Sequence, residues 1–280
     1  MLTEIFCQID DFCNSFLPSW NTFLKKQGLI RRNRARCLAL SEVMTILVAF
    51  HHYKYRDFKS FYNNFVKIHL RKEFPTTPSY NRFLEIASDA TIPLEIFIRK
   101  NLKVSDDKFI VDSTSLSVCE LIRMKSNRVF KAIAKKGRTS TKEFFGLKLH
   151  IIVDSKGHIA SFKITSGNTH DVKVVEQLSA NISGKLYGDR GYISDVVWSR
   201  LLKRGVALIT NVRKNMGWNH ANIEDRKFLK KRGRIETIIG LLKTKFHLEH
   251  SRHRSIAGFF RHIYSTLVMY QVSGQRVSFC

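Results

Sequence analysis

The sequence predicts a mixed α/β domain, one sheet covered by helices on both faces, preceded by an all-helical leader. Three observations carry that prediction. Strand signals are nearly absent up to about residue 104, after which short apolar runs alternate with helical ones. The runs FIVDSTSL (109–116), GLKLHIIVD (146–154) and HIASFKITSG (158–167) concentrate β-branched and aromatic residues, as strands do. Between the last two, Asp154-Ser155-Lys156-Gly157 is turn chemistry, so those runs pair as a hairpin.

The leader shows apolar residues at helical spacing in LALSEVMTILVAFHH (38–52), with Ser41 as N-cap and Glu42 just inside it. A second helix fits FKSFYNNFVKIHL (58–70), and a third begins after Pro78-Ser79 with Tyr80, Phe83, Leu84 and Ile86. Beyond the hairpin, DVKVVEQLSANI (171–182) reads as helix and KLYGD (185–189) as a short strand. SDVVWSRLLKRG (194–205) is a helix closed by Gly205, and VALITNV (206–212) is another strand. One long helix is expected over roughly 226–247, and HIYSTLVMYQV (262–272) is a final apolar segment. An antiparallel hairpin followed by crossovers, in the order β, β, β, α, β, α, β, α, is that of an RNase H-like fold. The expected division is 1–104, helical, and 105–280, sheet-bearing.

Composition narrows the partners. The 280 residues include 44% hydrophobic ones, ample for a core and against disorder. The net charge is +25, from 48 Lys and Arg against 23 Asp and Glu, and most of the excess lies beyond residue 105. Such a chain repels itself unless an anion neutralises it, and nucleic acid is the first candidate because bound phosphates release counterions. A membrane is disfavoured: VMTILVAF (43–50), the longest apolar run, falls far short of the roughly 20 residues that span a bilayer. The start MLTEIFCQIDDF is acidic rather than basic, unlike a signal peptide. The five cysteines form no CxxC pair, which fits a reduced, cytoplasmic setting.

In so basic a chain, acids placed at the ends of apolar strands need a reason. Singly, Asp112 in KFIVDST is a turn or cap residue, Asp189 in GDRG is turn chemistry, and Glu236 is part of a solvated helix face beside Arg232. Together they read differently. Both aspartates fall at carboxyl ends of strands, where α/β sheets bind ligands. The Glu236 helix carries an apolar stripe of Ile235, Ile238, Ile239, Leu242 and Phe246. Arg232, Glu236 and Lys243 share a neighbouring stripe, which brings Glu236 to the rim of the core. Three converging carboxylates repel unless a cation joins them. Mg²⁺ or Mn²⁺ prefers such oxygen ligands, and a pair of ions suits in-line displacement at phosphorus. Lys148 and Arg190 flank this place as phosphate-binding candidates.

The order VDST, GNTHD (167–171), YGDRGY (187–192) and Arg232-x3-Glu236-x6-Lys243 resembles the DDE transposases of bacterial insertion sequences, over about 108–245. The resemblance implies that Asp112, Asp189 and Glu236 are the catalytic, metal-binding triad, with Mg²⁺ or Mn²⁺ as cofactor. It implies that Arg232 and Lys243 touch terminal DNA. The implied partners are double-stranded DNA, as terminal inverted repeats and target, and a second copy of the chain in a synaptic complex. The implied place is the bacterial cytoplasm, at the nucleoid. Many relatives carry a Tyr three residues before the Arg; here Leu229 stands there, so that ring's stacking role has no counterpart. Only 46 residues separate Asp189 from Glu236, which excludes a large strand-rich insertion between them.

Rival readings remain open at this point. A plain RNase H-like nuclease would cut without joining, and an inactive derivative or a regulator would only bind DNA. A tyrosine recombinase using Tyr264 or Tyr270 is disfavoured by the lack of a His-x-x-Arg with spaced Arg partners. His247, His250 and His253 read as DNA contacts or plain surface rather than a zinc site, and Trp198 and Trp218 as packing. His170-Asp171 reads as the cap of the helix that follows, with a place beside the site.

Overall fold

A computed structural model describes residues 1–32, 36–139, 142–211, 222–249, 253–274 and 277–278. Val212, Trp218 and His250, which figured in the expectations above, lie outside the described residues. The chain forms two compact units: residues 1–100 with 257–273, and residues 101–256 with 274–280.

The first unit is helical: α1 (Leu2–Lys26), α2 (Leu40–Ala49), α3 (Phe58–Phe61), α4 (Lys67–His69), α5 (Tyr80–Ala87) and α6 (Thr91–Lys100). A π-turn over Tyr62–Val66 joins α3 to α4, so the expected second helix is continuous but locally widened. Helix α1 buries one stripe, Ile5, Ile9, Phe12 and Cys13, at helical spacing. Helix α2 is buried almost all round, from Ser41 to Ala49. Its cap differs from the expectation: Ala39 is the N-cap residue, and its N–H donates to Glu42 Oε2 at 2.6 Å, so Ser41 falls within the first turn. Helix α5 begins after Ser79, as expected, and the Ser79 hydroxyl caps it by accepting from the Arg82 N–H.

The apolar segment 262–272 is part of a 17-residue helix (Ile256–Val272), numbered last below as α11, and it belongs with the leader rather than with the sheet. This departs from the expected division at 104. The physical reason is composition: Ile263 to Gln271 are buried on every side, and a helix without a polar face needs a helical surround. His51 completes that seam, bonded to Ser265 Oγ at 2.8 Å through Nε2 and to Thr266 Oγ1 at 3.3 Å through Nδ1. Among the described residues, no helix is long and apolar enough to cross a membrane.

The second unit holds β1 (Lys108–Cys119), β2 (Lys135–Arg138), β3 (Glu143–Asp154), β4 (Ile159–Ser166), β5 (Gly184–Gly188) and β6 (Val206–Thr210). The helices are α7 (Val172–Leu178), α8 (Asp195–Lys203), α9 (Ile223–Lys231) and α10 (Arg234–Thr244). The sheet order is β2-β3-β1-β5-β6, with β4 also on β3. Strands β1, β3 and β4 pair antiparallel, and β1, β5 and β6 pair parallel. Leaving out the short β2, which sequence reading missed, the order is that of an RNase H-like sheet.

Alternation along β1 separates two faces. Phe109 and Val111 join Val174, Val175, Leu178 and Leu201 in a core under α7 and α8. Ile110 and its register partner Tyr187 face the other way, where the Tyr187 ring packs on Phe228 of α9 at 4.5 Å between centroids. The stripe expected on the Glu236 helix is buried at Ile235, Ile238, Leu242 and Phe246.

Gly146 lies where β3 meets β1, and a Cβ there would overlap the Leu116 carbonyl. Gly240, inside α10, has nothing within 4 Å of its Cβ direction. In thermal or denaturant unfolding, Gly146→Ala is expected to destabilise by about 2–4 kcal/mol. Gly240→Ala is expected to stabilise by up to ~1 kcal/mol, since Ala is the better helix former.

Candidate active site

The parallel register of β1 with β5 builds the site. Lys108, Phe109 and Ile110 pair with Lys185, Leu186 and Tyr187; Asp112 and Asp189 each follow two residues beyond the end of that ladder, and the Asp189 charge acts on Asp112. Asp189 directly follows β5, as expected. Asp112 does not end its strand: β1 runs on to Cys119 because β3 continues to pair with it through Phe145. What ends near Asp112 is the parallel ladder alone, so the opening lies beside the strand rather than at its tip.

Each aspartate is anchored locally. Asp112 Oδ1 accepts the Ser113 N–H at 2.8 Å. Asp189 caps a 3₁₀ turn (Arg190–Tyr192), with Oδ1 accepting the Gly191 N–H at 2.7 Å. The turn chemistry of GDRG is therefore real, and it fixes the carboxylate instead of replacing a functional role. Burial pushes the Asp112 carboxyl up to about 6, and the charges of Asp189 and Glu236 act in the same direction. The Ser113 N–H and the Arg232 guanidinium pull it back. Asp112 is thus the electrostatic centre on which Asp189, Glu236 and Arg232 all act.

The helix carrying Glu236 departs from the expectation. The single helix over 226–247 is broken between α9 and α10, with Arg232 as C-cap of the first and Gly233 as N-cap of the second. Glycine is the weakest ordinary residue in a helix interior, and a basic run has little to hold the helix through it. Glu236 consequently sits in the first turn of α10, where the helix dipole favours a carboxylate. The side chain is exposed.

The basic candidates separate. Arg232 is half-buried within reach of Asp112, and Arg190 is exposed beside Asp189. Lys243 pairs with Glu249 at 3.2 Å. Lys148 is largely buried on the α7 face, and its Nζ donates to Asp171 Oδ1 and to the Thr169 carbonyl, each at 3.1 Å. Those bonds account for Lys148 as a partner of Asp171. Asp171 is the N-cap of α7 by position, yet its carboxylate makes no cap bond. His150 Nδ1 lies 3.4 Å from the same Asp171 oxygen, and burial pushes the imidazole down to about 4, so the ring is neutral at pH 7. His247 takes a positive φ of 55° just after α10, and Trp198 packs against the core under α7 and α8.

Sequence reading missed Tyr192. Its ring is buried in the core with Val111, Val174 and Val175, and its hydroxyl has no hydrogen-bond partner among the described residues. The signal was present in YGDRGY but had no stated physical meaning there.

The donor set fits a hard divalent cation: it offers carboxylate oxygens, one of them carrying a carboxyl pushed upward, and a buried hydroxyl lacking an acceptor. Among the described residues, no three His, Cys, Asp or Glu side chains gather closely enough to form a ready cage.

An RNase H-like sheet with two aspartates just beyond its parallel ladder defines the structural class. A family profile described as Transposase DDE domain matches residues 103–256. The match covers more than half of the chain, which therefore belongs to that family, and its general activity is DNA transposition. No curated protein matches the chain. Among solved structures, the piggyBac transposase synaptic complex with hairpin DNA is similar at 13% identity and a TM-score of 0.48, over 96% of this chain and 73% of that one. That likeness is too distant to assign residues.

The Asp112 carboxyl has a sign consequence. Its folded value, about 6, lies above the ordinary 3.8, so between those values the folded chain binds more protons than the unfolded one. Stability from this group is full below pH 3.8 and is lost as pH rises through about 6. Asp112→Asn is therefore expected to stabilise the cation-free protein at pH 7 by about 2–3 kcal/mol, seen as a higher melting temperature. The difference from wild type should close by pH 4 in pH-dependent calorimetry.

Proposed function

We propose that the chain is an insertion-sequence transposase that cuts DNA at the ends of its element and joins the freed 3′-hydroxyl to target DNA. The observation carrying this reading is that the charges of Asp189, Glu236 and Arg232 all act on Asp112, beside the end of the parallel ladder. Family membership supports DNA transposition; the insertion-sequence type and the joining step are our own extension.

Asp112, Asp189 and Glu236 would hold Mg²⁺ or Mn²⁺, in one or two ions. Such ions, when bound, activate an attacking oxygen and stabilise a leaving one in displacement at phosphorus. In the first step, water attacks an end phosphodiester and the P–O3′ bond breaks, leaving a 5′-phosphate and a 3′-hydroxyl. In the second, that hydroxyl loses its proton and attacks a target phosphorus. A new P–O3′ bond forms, and the target's own 3′-oxygen leaves, taking up a proton. The residues of the chain orient these groups. Arg232, beside Asp112, clamps the reacting phosphate and offsets its charge. Arg190, exposed next to Asp189, reaches a neighbouring phosphate. Lys243, released from Glu249, adds a further backbone contact.

The helical unit supplies end recognition in this reading, by helix docking of the helix-turn-helix kind. A groove of about 1270 Å³ there is bordered by Arg31, Arg32, Arg36 and Arg82, with Trp20 among its walls. Synapsis of two ends would bring two copies of the chain together.

Purified protein with end-sequence duplex, target DNA and Mg²⁺ tests the reading. Cleavage and joining are both expected, each lowered at least 10³-fold by Asp112→Ala, Asp189→Ala or Glu236→Ala. Cleavage without joined product would leave a nuclease, and full activity in any of the three variants would sink the site assignment.

A further inference from the structure

The Tyr192 hydroxyl is a buried group, three residues from Asp189, that the scheme above does not use. The residue is 1% exposed, and the hydroxyl has no hydrogen-bond partner among the described residues. Leaving a buried hydroxyl unpaired costs about 1–3 kcal/mol, and phenylalanine would fill the same space without that cost. The ring is also tightly held. It packs on Gly188, where a Cβ would stand 3.1 Å from the ring, and it belongs to the core of Val111, Val174 and Val175. Its N–H donates to the Asp189 carbonyl at 3.2 Å, closing the turn that presents the Asp189 carboxylate.

The surroundings define what the hydroxyl can meet. Burial first, and then the charges of Asp171, Asp112 and Asp189, hold the phenol well above its ordinary range, against a smaller pull from Arg232. It therefore stays a donor. The Asp171 carboxylate is already engaged by Lys148 at 3.1 Å, with His150 Nδ1 at 3.4 Å. A donor fixed among acids, with no acceptor aligned to it, is poised for an oxygen that comes from outside the folded chain.

We propose that Tyr192 is a positioning residue whose hydroxyl donates to an oxygen in the coordination shell of a divalent cation held by Asp112 and Asp189. That oxygen belongs to a cation-bound water or to a DNA phosphate. The proposal rests on the metal reading given under Proposed function and adds to it a second layer contributed from the opposite face of the sheet. The bond would fix the Asp189 turn against the bound cation, as outer-shell donors do in metal sites.

The test uses the full chain and Tyr192→Phe, with Mn²⁺ titrated calorimetrically, once alone and once with a short DNA duplex present. The cation-free melting temperature should be unchanged or higher in Tyr192→Phe, because an unpaired hydroxyl is removed. Mn²⁺ affinity should fall about tenfold. A fall with Mn²⁺ alone identifies a cation-bound water as the acceptor, and a fall only with DNA identifies the phosphate. A lower cation-free melting temperature in Tyr192→Phe would mean that the hydroxyl is satisfied within the fold, and would overturn the proposal. Wild-type affinity in both arms would overturn it as well. Asp112→Asn and Asp189→Asn separate this failure from a wider one. If they lose Mn²⁺ binding while Tyr192→Phe keeps it, the metal reading stands and only Tyr192 is misassigned. If the wild type binds no Mn²⁺ in either arm, both readings fail.

Discussion

The parallel register between β1 and β5 is the constraint on which the site depends. Shifting it by one residue would turn a whole set of side chains to the wrong face. With Ile110 opposite Tyr187, Asp112 and Asp189 each follow two residues beyond the last pair, and the charge of Asp189 acts on Asp112. Each is then gripped by a backbone N–H close to it in sequence, so neither depends on a distant partner for its placement. Burial of Asp112 among other acids is unfavourable for the free protein and useful only where a cation or a proton offsets it. The fold tolerates this because Arg232 and the Ser113 N–H relieve part of the charge.

The sheet also gives the site two sides. Glu236 and Arg232 come from the elements around the break between α9 and α10, on the face shared with Tyr187 and Phe228. Tyr192, His150, Lys148 and Asp171 come from the face covered by α7. On that second side Lys148 is bonded to Asp171 and His150 Nε2 to Thr165 Oγ1, whereas His150 Nδ1 and the Tyr192 hydroxyl have no hydrogen-bond partner among the described residues. Of those two unpaired groups, the Tyr192 hydroxyl is the one that lies three residues from Asp189.

Much of this was legible in the sequence. The strands at 109–116, 146–154 and 158–167 and the stripe of Ile235, Ile238 and Leu242 follow directly from residue type and periodicity, and all appear in the structure. Other features were hidden for physical reasons. β2 reads KKGR and has no strand composition; it exists because the end of β3 offers an unpaired edge. The break at Gly233 was masked by a helical period that continues on both sides of it. Lys148 reads as a free cation in so basic a chain, and only packing supplies Asp171 as its partner.

The amino-acid sequence by itself determined which segments are strands and helices, that the chain is strongly basic, and which three acids are set apart by motif. Those properties are local, or are sums over residues. Only the tertiary structure decided that the Asp189 charge acts on Asp112 and that Glu236 stands in a first turn. It also decided that 257–273 joins the helical leader, and that a tyrosine hydroxyl is buried among acids without an acceptor. These depend on strand register and on burial, which are properties of pairs of segments distant in the chain and have no signature in either segment alone.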